Sequence, residues 1–190
     1  MSAHAIGRMT ADEYLAAERA SELRSEFFNG EVFAMSGGTD DHGHIANRAA
    51  YLLTGQLDER PCRIYGGSVM VQAGNREGFC IPDVMVIWEK PSYADDRKDI
   101  ITNPVLVIEV LSPSTEKWDR GGKFDYYRRI PSLREYVLIF QDQMRVEWFS
   151  RSDSGDWVYR TAVGPEGIVD LASLSVQLPL AKLYKNVDLA

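Results

Sequence analysis

A strand–helix–strand pattern near the middle of the chain constrains the fold more than any other feature. Residues 105–112 ("VLVIEVLS") and residues 135–140 ("EYVLIF") are apolar runs that are typical of buried strands. The segment between them, "TEKWDRGGKFDYYRRI", has helical character, although Gly121 and Gly122 weaken its start. A helix that joins two buried strands predicts a right-handed crossover between parallel strands.

Local signals on the N-terminal side of this unit predict helices and a hairpin. Thr10 followed by Glu13 is the capping-box pattern that opens a short helix. Asn29-Gly30 between two apolar runs is a strong hairpin signal. Apolar residues at helical spacing predict an amphipathic helix over residues 44–59.

Further strands are predicted before and after the unit. Residues 62–72 are expected to form one strand with a bulge at Gly66-Gly67, and residues 81–89 form a second strand. Residues 145–163 are expected to form a hairpin, whereas the polar residues 90–104 are expected to be a surface loop.

Length and composition fit one folded domain without a membrane segment. The 190 residues, 45% of them hydrophobic, suit a single α/β (α+β) domain over residues 1–190, with residues 1–7 flexible. We expect a mixed central sheet flanked by helices, with additional hairpins at both ends. No apolar run approaches the roughly 18 residues of a membrane helix, and no secretion signal is evident. Cys62 and Cys80 lack a second pair, which favours reduced thiols and a cytoplasmic location.

The net charge limits how the protein can meet nucleic acid. A formal charge of -7 argues against a protein that binds nucleic acid non-specifically through positive charge. It does not exclude a nuclease, because acidic metal ligands and an acidic rear surface lower the net charge without describing the binding face.

Glu109 is the charged residue within the most apolar predicted strand. Glu109 shares one strand face with Val107 and Leu111, and helices should cover that face if the sheet is internal. An unpaired carboxylate in an apolar interior costs on the order of several kcal/mol. A buried ion pair with lysine or arginine would offset that cost, and so would a bound cation. Both explanations stay open for Glu109 alone.

A second carboxylate favours a cation, and a lysine is the third component of the candidate site. Asp83 lies at the start of the neighbouring predicted strand, although Pro-Asp is also a common turn at the start of a strand. Two close carboxylates are unfavourable unless a cation or a shared proton joins them, and oxygen ligands suit Mg²⁺ or Mn²⁺. Lys123 shares a helix face with Asp119 and Ile130 and is a candidate to point inward, although a surface lysine would show the same pattern.

Asp83, Glu109 and Lys123 together predict a metal-assisted phosphodiesterase site. The two carboxylates would hold Mg²⁺ (or Mn²⁺), which activates a bound water and offsets charge on the phosphate. The lysine would position the water or stabilise the developing negative charge.

The same residues carry a resemblance to a known family. "IPD", "LVIEVLSPST" and "DRGGKFDYYRRIPSLREYVLI" resemble the Uma-two family, a group of restriction-endonuclease-like proteins in the PD-(D/E)XK nuclease superfamily. "SEFFNGEVFAMS", "HGHIANRAAYLL" and "LPLAKLY" are similar to the family as well, so the resemblance covers residues 8–185. It implies a restriction-endonuclease-like core, in which Pro82-Asp83 matches the PD pair and Glu109 matches the acid of (D/E)XK.

The resemblance also identifies departures and further candidates. Leu111 stands where the lysine of the motif would follow Glu109, and Lys123 matches the lysine of the family's helix motif. The superfamily often has an acid on its first core helix, where this chain has His44, which is a candidate for that role. Glu26 and Glu31 match family positions beside the hairpin turn, and Glu26 is a further candidate catalytic residue.

Two hypotheses about function follow. The first is a Mg²⁺-dependent endonuclease that hydrolyses DNA at Asp83, Glu109 and Lys123. The alternative is a catalytically inactive nuclease-fold module for binding or dimerisation, in which these residues are structural. Because cutting both strands of a duplex commonly needs two sites, we also expect a homodimer, formed by the exposed strands near residues 145–151 or by the N-terminal hairpin.

Overall fold

The structure is a computed structural model that describes residues 5–35, 37–113 and 115–189. In chain order its strands are β1 (Ala5–Arg8), β2 (Ser25–Phe28), β3 (Glu31–Ala34), β4 (Cys62–Gly66), β5 (Met70–Ala73), β6 (Gly78–Cys80), β7 (Val84–Trp88), β8 (Ile100–Ile101), β9 (Leu106–Leu111), β10 (Glu135–Phe140), β11 (Arg145–Arg151), β12 (Trp157–Val163), β13 (Ile168–Leu171) and β14 (Val176–Pro179). Its α-helices are α1 (Ala11–Ala20), α2 (Asp40–Leu57), α3 (Glu116–Trp118), α4 (Phe124–Tyr127) and α5 (Leu180–Leu183).

The strands form two six-stranded mixed sheets and one two-stranded sheet. The central sheet has the order β12-β11-β10-β9-β7-β4, and the N-terminal sheet has the order β1-β3-β2-β6-β5-β8. Strands β9 and β10 pair in parallel, as the strand–helix–strand pattern predicts, and the other neighbours in the central sheet are antiparallel. The mixed α+β fold class is therefore confirmed. The described part of the chain contains no helix long and apolar enough to cross a membrane.

The buried core has three parts, separated by the two large sheets. The first lies between α2 and one face of the central sheet and includes Leu53 from the middle of the helix. The second lies between the opposite face of the central sheet, the N-terminal sheet and the helical segment that contains Tyr127. The third packs Tyr14 of α1 against the N-terminal sheet. The N-terminal sheet is therefore buried against the central sheet on one side and α1 on the other.

Two local predictions are confirmed in detail. The Thr10 side chain accepts a hydrogen bond from the Glu13 backbone, and the Glu13 carboxylate accepts from the Thr10 backbone, which completes the capping box of α1. Asn29 and Gly30 have φ angles of 47° and 88° and connect β2 to β3. Two consecutive positive φ angles are what a tight hairpin with right-handed strand twist requires.

Four boundaries differ from the sequence-based expectation. Helix α2 begins at Asp40 rather than at residue 44, because Thr39 caps a polar first turn that has no apolar periodicity. Gly66-Gly67 is a strand break rather than a bulge, since β4 joins the central sheet and β5 the N-terminal sheet. The expected loop at 90–104 includes β8, which pairs in parallel with β5. Residues 5–7 belong to β1, which pairs with β3, while residues 1–4 lie outside the described part.

The helical segment between β9 and β10 is interrupted by a π-helical turn. This turn, Asp119–Lys123, lies between α3 and α4 and contains Gly121 and Gly122. A π turn is wider than an α turn and often marks a functional site. Gly122 lies directly against the ring of Trp118, so the missing side chain is what permits this close packing.

We predict that Gly122→Ala destabilises the protein by about 1–3 kcal/mol, because the added carbon would overlap the Trp118 ring. That ring packs against Phe28 and Phe33, with centroid distances of 4.7 and 5.7 Å, and has little room to move. Urea denaturation measures the change in the free energy of unfolding. Gly121→Ala is the matched control, since nothing lies within 4 Å of its added carbon. Equal effects of the two substitutions would contradict the proposed packing.

Candidate functional site

The π turn places two charged side chains of the helical segment inside the protein. Asp119 opens the turn and Lys123 ends it, and both are buried. Their side chains approach to 3.5 Å between Lys123 Nζ and Asp119 Oδ1. Lys123 therefore points into the protein, which is one of the two directions that the helix pattern allowed.

Lys123 contacts carboxylates from three different elements. Its Nζ lies 3.0 Å from Glu26 Oε1 of β2 and 3.1 Å from Glu109 Oε1 of β9, in addition to the contact with Asp119. All four side chains are between 4% and 9% exposed. We call Glu26, Glu109, Asp119 and Lys123 the buried cluster. It joins the N-terminal sheet, the central sheet and the helical segment at one point.

Neutral donors hold the acidic groups of the buried cluster in place. The Tyr127 hydroxyl donates a hydrogen bond of 2.9 Å to Glu109 Oε1. The backbone N–H of Ile81 donates to Glu26 Oε1 at 3.0 Å. Each of these acceptors therefore has a donor besides Lys123, which fixes its orientation and offsets part of the cost of its burial.

Asp83 lies beside the buried cluster and nearer to solvent. The register of β7 and β9 pairs Val84 with Ile108, so that Asp83, one residue earlier, stands opposite Glu109. Its Oδ2 accepts a hydrogen bond of 2.7 Å from the Val110 backbone, and 22% of its side chain is exposed. The two carboxylates are close enough for Asp83 to raise the pKa of Glu109.

His42, in the first turn of α2, binds the other oxygen of Asp83. Its Nε2 lies 2.9 Å from Asp83 Oδ1, and since a carboxylate accepts, Nε2 carries the proton. The Nδ1 atom is buried without a hydrogen-bond partner in the described part of the chain. A side-chain carbon at Gly38 would come within 2.8 Å of the imidazole, so the ring sits where only glycine leaves space.

Burial dominates the electrostatics of the buried cluster. Removal from water raises the pKa of Glu26 and of Asp119 and places the pKa of Glu109 well above its usual value, although Lys123 acts in the opposite direction. Burial alone would lower the pKa of Lys123, but the three carboxylates outweigh it and raise that pKa well above its ordinary range. The carboxylates therefore favour the charged form of the lysine, while burial favours the neutral form of its acidic partners.

The structure brings together most of the residues expected in the site, but not all. Glu26, Glu109 and Lys123 are in direct contact, with Asp83 next to them. His44 is not brought to this place, because its Nε2 binds the carbonyl oxygen of Lys185 instead.

The two glutamates beside the hairpin turn, Glu26 and Glu31, lie in different surroundings, and only Glu26 belongs to the site. Glu31 forms an exposed ion pair with Arg8, whereas Glu26 faces Lys123. The two glutamates lie on the same face of the hairpin, because Glu31 pairs with Phe28, two residues along β2 from Glu26. They differ in position along the strands, since Glu31 lies beside the turn and pairs with Arg8 of β1.

Two residues near the site were missed from the sequence. His42 was missed because apolar periodicity placed the helix start too late; the Thr39 cap three residues earlier was the available signal. Asp119 was noted on the same helix face as Lys123 but not as a partner of the site, because spacing alone does not reveal a π turn.

The carboxylate oxygens of the site suit a hard divalent cation, although the ammonium group of Lys123 already lies close to them. The carboxylate oxygens of Asp83 and Glu109 are the ligand type that Mg²⁺ and Mn²⁺ prefer. The ammonium of Lys123 lies between three of the carboxylates. The residues described by the structure hold no group of three or more histidine, cysteine, aspartate or glutamate side chains already arranged around an ion position.

Comparison with known proteins identifies the family. Residues 11–181 match the Uma2 family model, whose description is "Putative restriction endonuclease". The chain belongs to the Uma2 family. The resemblance read from the sequence motifs is thereby confirmed.

Two relatives resemble the chain in sequence, and one solved structure shares its fold. Two uncharacterized proteins of Synechocystis are each 32% identical, over 182 and 168 residues, and cover 95% and 88% of this chain and 93% and 95% of their own length. A crystal structure from Anabaena variabilis, described as "a putative nuclease belonging to DUF820", matches with a TM-score of 0.75. It is 19% identical and covers 93% of this chain and 97% of its own, so this likeness shows the shared fold.

We predict that Lys123→Met destabilises the protein in a pH-dependent way. At pH 8 the loss should be about 3–5 kcal/mol, because the carboxylates lose the cation that balances them. The loss should shrink as the pH falls towards 4.5, the ordinary pKa of glutamate. Carboxyl groups whose pKa is raised in the folded state take up protons over this interval, and a protonated carboxyl group needs no cation to balance it. Urea denaturation at pH 5.5 and pH 8 measures the difference.

The matched control is Lys117→Met, which removes an exposed lysine from the same helical segment. A surface substitution should change the free energy of unfolding by no more than about 0.5 kcal/mol at either pH. A Lys123→Met loss that is the same at both pH values would show that the carboxylates are not what the lysine balances.

Proposed function

We propose that this Uma2 protein is a divalent-metal-dependent endonuclease that hydrolyses DNA phosphodiester bonds at Asp83, Glu109 and Lys123. The observation that carries the proposal is the convergence of Glu109 and Lys123 in one buried cluster with Asp83 at its solvent side. Membership of the Uma2 family, and the fold shared with a protein described as "a putative nuclease", support a nuclease function.

The metal would be Mg²⁺ or Mn²⁺, held by Asp83 and Glu109. When bound, such an ion lowers the pKa of a water ligand and offsets negative charge on a phosphate. The hydrogen bonds to Asp83 from Val110 N–H and His42 fix the direction of that carboxylate before an ion arrives. Tyr127 does the same for Glu109, so the chain itself supplies two oriented carboxylates.

Lys123 would supply positive charge that does not depend on an ion. Its raised pKa keeps the ammonium charged, and Glu26 and Asp119 hold it in place from the sides. In this position it donates hydrogen bonds towards Glu109 and stabilises negative charge that develops on a nearby phosphate oxygen. Glu26 is thus proposed to position the lysine rather than to touch the substrate.

The cost of the buried cluster favours a functional role. Three buried carboxylates with raised pKa values destabilise the folded state relative to neutral groups of the same size. Groups perturbed by burial and by a specific charge partner concentrate at functional sites.

The inactive-module alternative rests on one observation of its own. Lys123 already neutralises part of the acidic charge, as a purely structural ion pair would. In that case Asp83 and Glu109 would bind no ion, and substitution of either residue would leave any DNA binding unchanged. Cleavage and ion binding therefore separate the two functions.

Cleavage of supercoiled plasmid DNA with Mg²⁺ or Mn²⁺ tests the proposed enzyme. We expect nicked or linear product from the natural sequence. Asp83→Asn and Glu109→Gln should each lower the cleavage rate about 100-fold or more, because each removes an oriented carboxylate. Glu166→Gln, an exposed acid far along the chain, is the control and should keep full activity. Equal cleavage by all variants would indicate a contaminating nuclease. No cleavage of double- or single-stranded DNA with either metal would contradict the proposal.

Calorimetric titration with Mn²⁺ separates the role of the lysine from that of the acids. Asp83→Asn and Glu109→Gln should lose ion binding, because each removes a negatively charged ligand. Lys123→Met should retain or strengthen ion binding while it loses cleavage, since the competing ammonium is removed but the ligands remain. Loss of ion binding in Lys123→Met, with the fold intact by circular dichroism, would mean that the lysine organises the ligands instead.

A further inference from the structure

Strand β12 ends the central sheet and leaves one backbone edge open. On its other side it pairs with β11, and the bonds from Ser152 N–H to the Asp156 carbonyl (2.8 Å) and from Gly164 N–H to the Met144 carbonyl (2.9 Å) set the alternation of that ladder. Even-numbered residues of β12 therefore bond to β11, and the N–H and C=O groups of residues 157, 159, 161 and 163 point away from the sheet.

The side chains of β12 are unusually apolar for an open edge. Val158, Tyr159 and Val163 are 42%, 48% and 66% exposed, and Arg160 is the strand's charged residue. Sheet edges are normally protected by proline, by several charges, by bulges or by very short strands. The seven residues of β12 have none of these devices, so the edge is suited to pairing with another strand.

We propose that β12 pairs antiparallel with β12 of a second copy of this chain, with Val158 opposite Val158 at the two-fold axis. In this register Asp156 of each copy stands opposite Arg160 of the other, which gives two ion pairs by symmetry. Arg160 forms no ion pair with any residue that the structure describes, and Asp156 accepts from the Ser154 hydroxyl at 2.7 Å. Both charges are therefore available for the contact.

The same register continues an aromatic row on the opposite face of the strand. Trp157 of each copy would stand opposite Tyr159 of the other, in pairs that exchange backbone hydrogen bonds. The Tyr159 ring already lies 5.4 Å from that of Phe149, and the Trp157 ring lies 5.3 Å from that of Phe124. Aromatic cross-strand pairs stabilise a sheet by up to about 1 kcal/mol each.

Other registers that satisfy the backbone are less favourable for the side chains. Alignment of Arg160 with Arg160 places like charges in direct opposition, which destabilises a sheet. Alignment of Tyr159 with Tyr159 puts Asp156 opposite Ala162 and leaves both charges unpaired. Charge complementarity therefore selects the register with Val158 on the axis.

Charge reversal tests whether the two copies meet as proposed. Analytical ultracentrifugation of the full chain should show a concentration-dependent dimer, and Asp156→Arg or Arg160→Asp alone should raise its dissociation constant at least about tenfold. The double variant should restore dimerisation, because each ion pair is rebuilt with reversed sign. A protein that stays monomeric at every concentration, or a dimer that neither reversal affects, would overturn the proposal. Thermal unfolding confirms that each variant is folded.

Disulfide trapping tests the register. Val158→Cys should form a covalent dimer under mild oxidation, because residues opposite each other in a non-hydrogen-bonded antiparallel pair have Cα atoms about 4.5 Å apart, within disulfide range. Arg160→Cys and Tyr159→Cys should remain monomeric in the same gel, as should the natural sequence with Cys62 and Cys80. Trapping at residue 159 or 160 but not at 158 would overturn the register. These measurements need no nuclease activity, so they fail or succeed independently of the proposed function.

Discussion

The contact between one buried ammonium and three buried carboxylates is the interaction on which the rest of this structure depends. Lys123 binds Glu26 from the N-terminal sheet, Glu109 from the central sheet and Asp119 from its own helical segment. Without the ammonium, three acidic groups would face each other in a space that excludes water. The joint between the two sheets is thus also the place where the chemistry is proposed. Evolution could not remove the acids for stability without altering the proposed site.

The features that could be predicted from the sequence are those signalled by residues close together in the chain. The parallel pair of β9 and β10 followed from two apolar runs with a helix between them, and Thr10 and Asn29-Gly30 announced a cap and a hairpin. Glu109 could be singled out because strand alternation places its carboxylate on an otherwise apolar face, where it needs a partner of opposite charge. In each case the signal is a short pattern of neighbouring residues. Lys123 was found for the same reason, since its helix face repeats at short range.

The features that could not be predicted depend on distant parts of the chain. The N-terminal sheet is assembled from short strands, one of them only Ile100–Ile101, whose pairing is decided by partners far along the sequence. Glu26 has no local peculiarity and was suggested only by family resemblance. His42 reaches Asp83 because α2 begins with a polar turn, which carries no periodic signal. Propensity and periodicity report on local structure, whereas these contacts arise from tertiary packing.

The charge balance around Lys123 bears directly on the proposed metal site. Around Lys123 the acidic groups outnumber the basic one, and burial raises the pKa values of all three acids. Burial therefore favours the protonated form of these acids, whereas the single ammonium favours their ionised form. A divalent ion bound to Asp83 and Glu109 would add positive charge and would favour the ionised form of Glu109. The proposed metal binding would therefore compete with protons, and the strength of that competition would depend on the burial of the whole cluster rather than on any single residue.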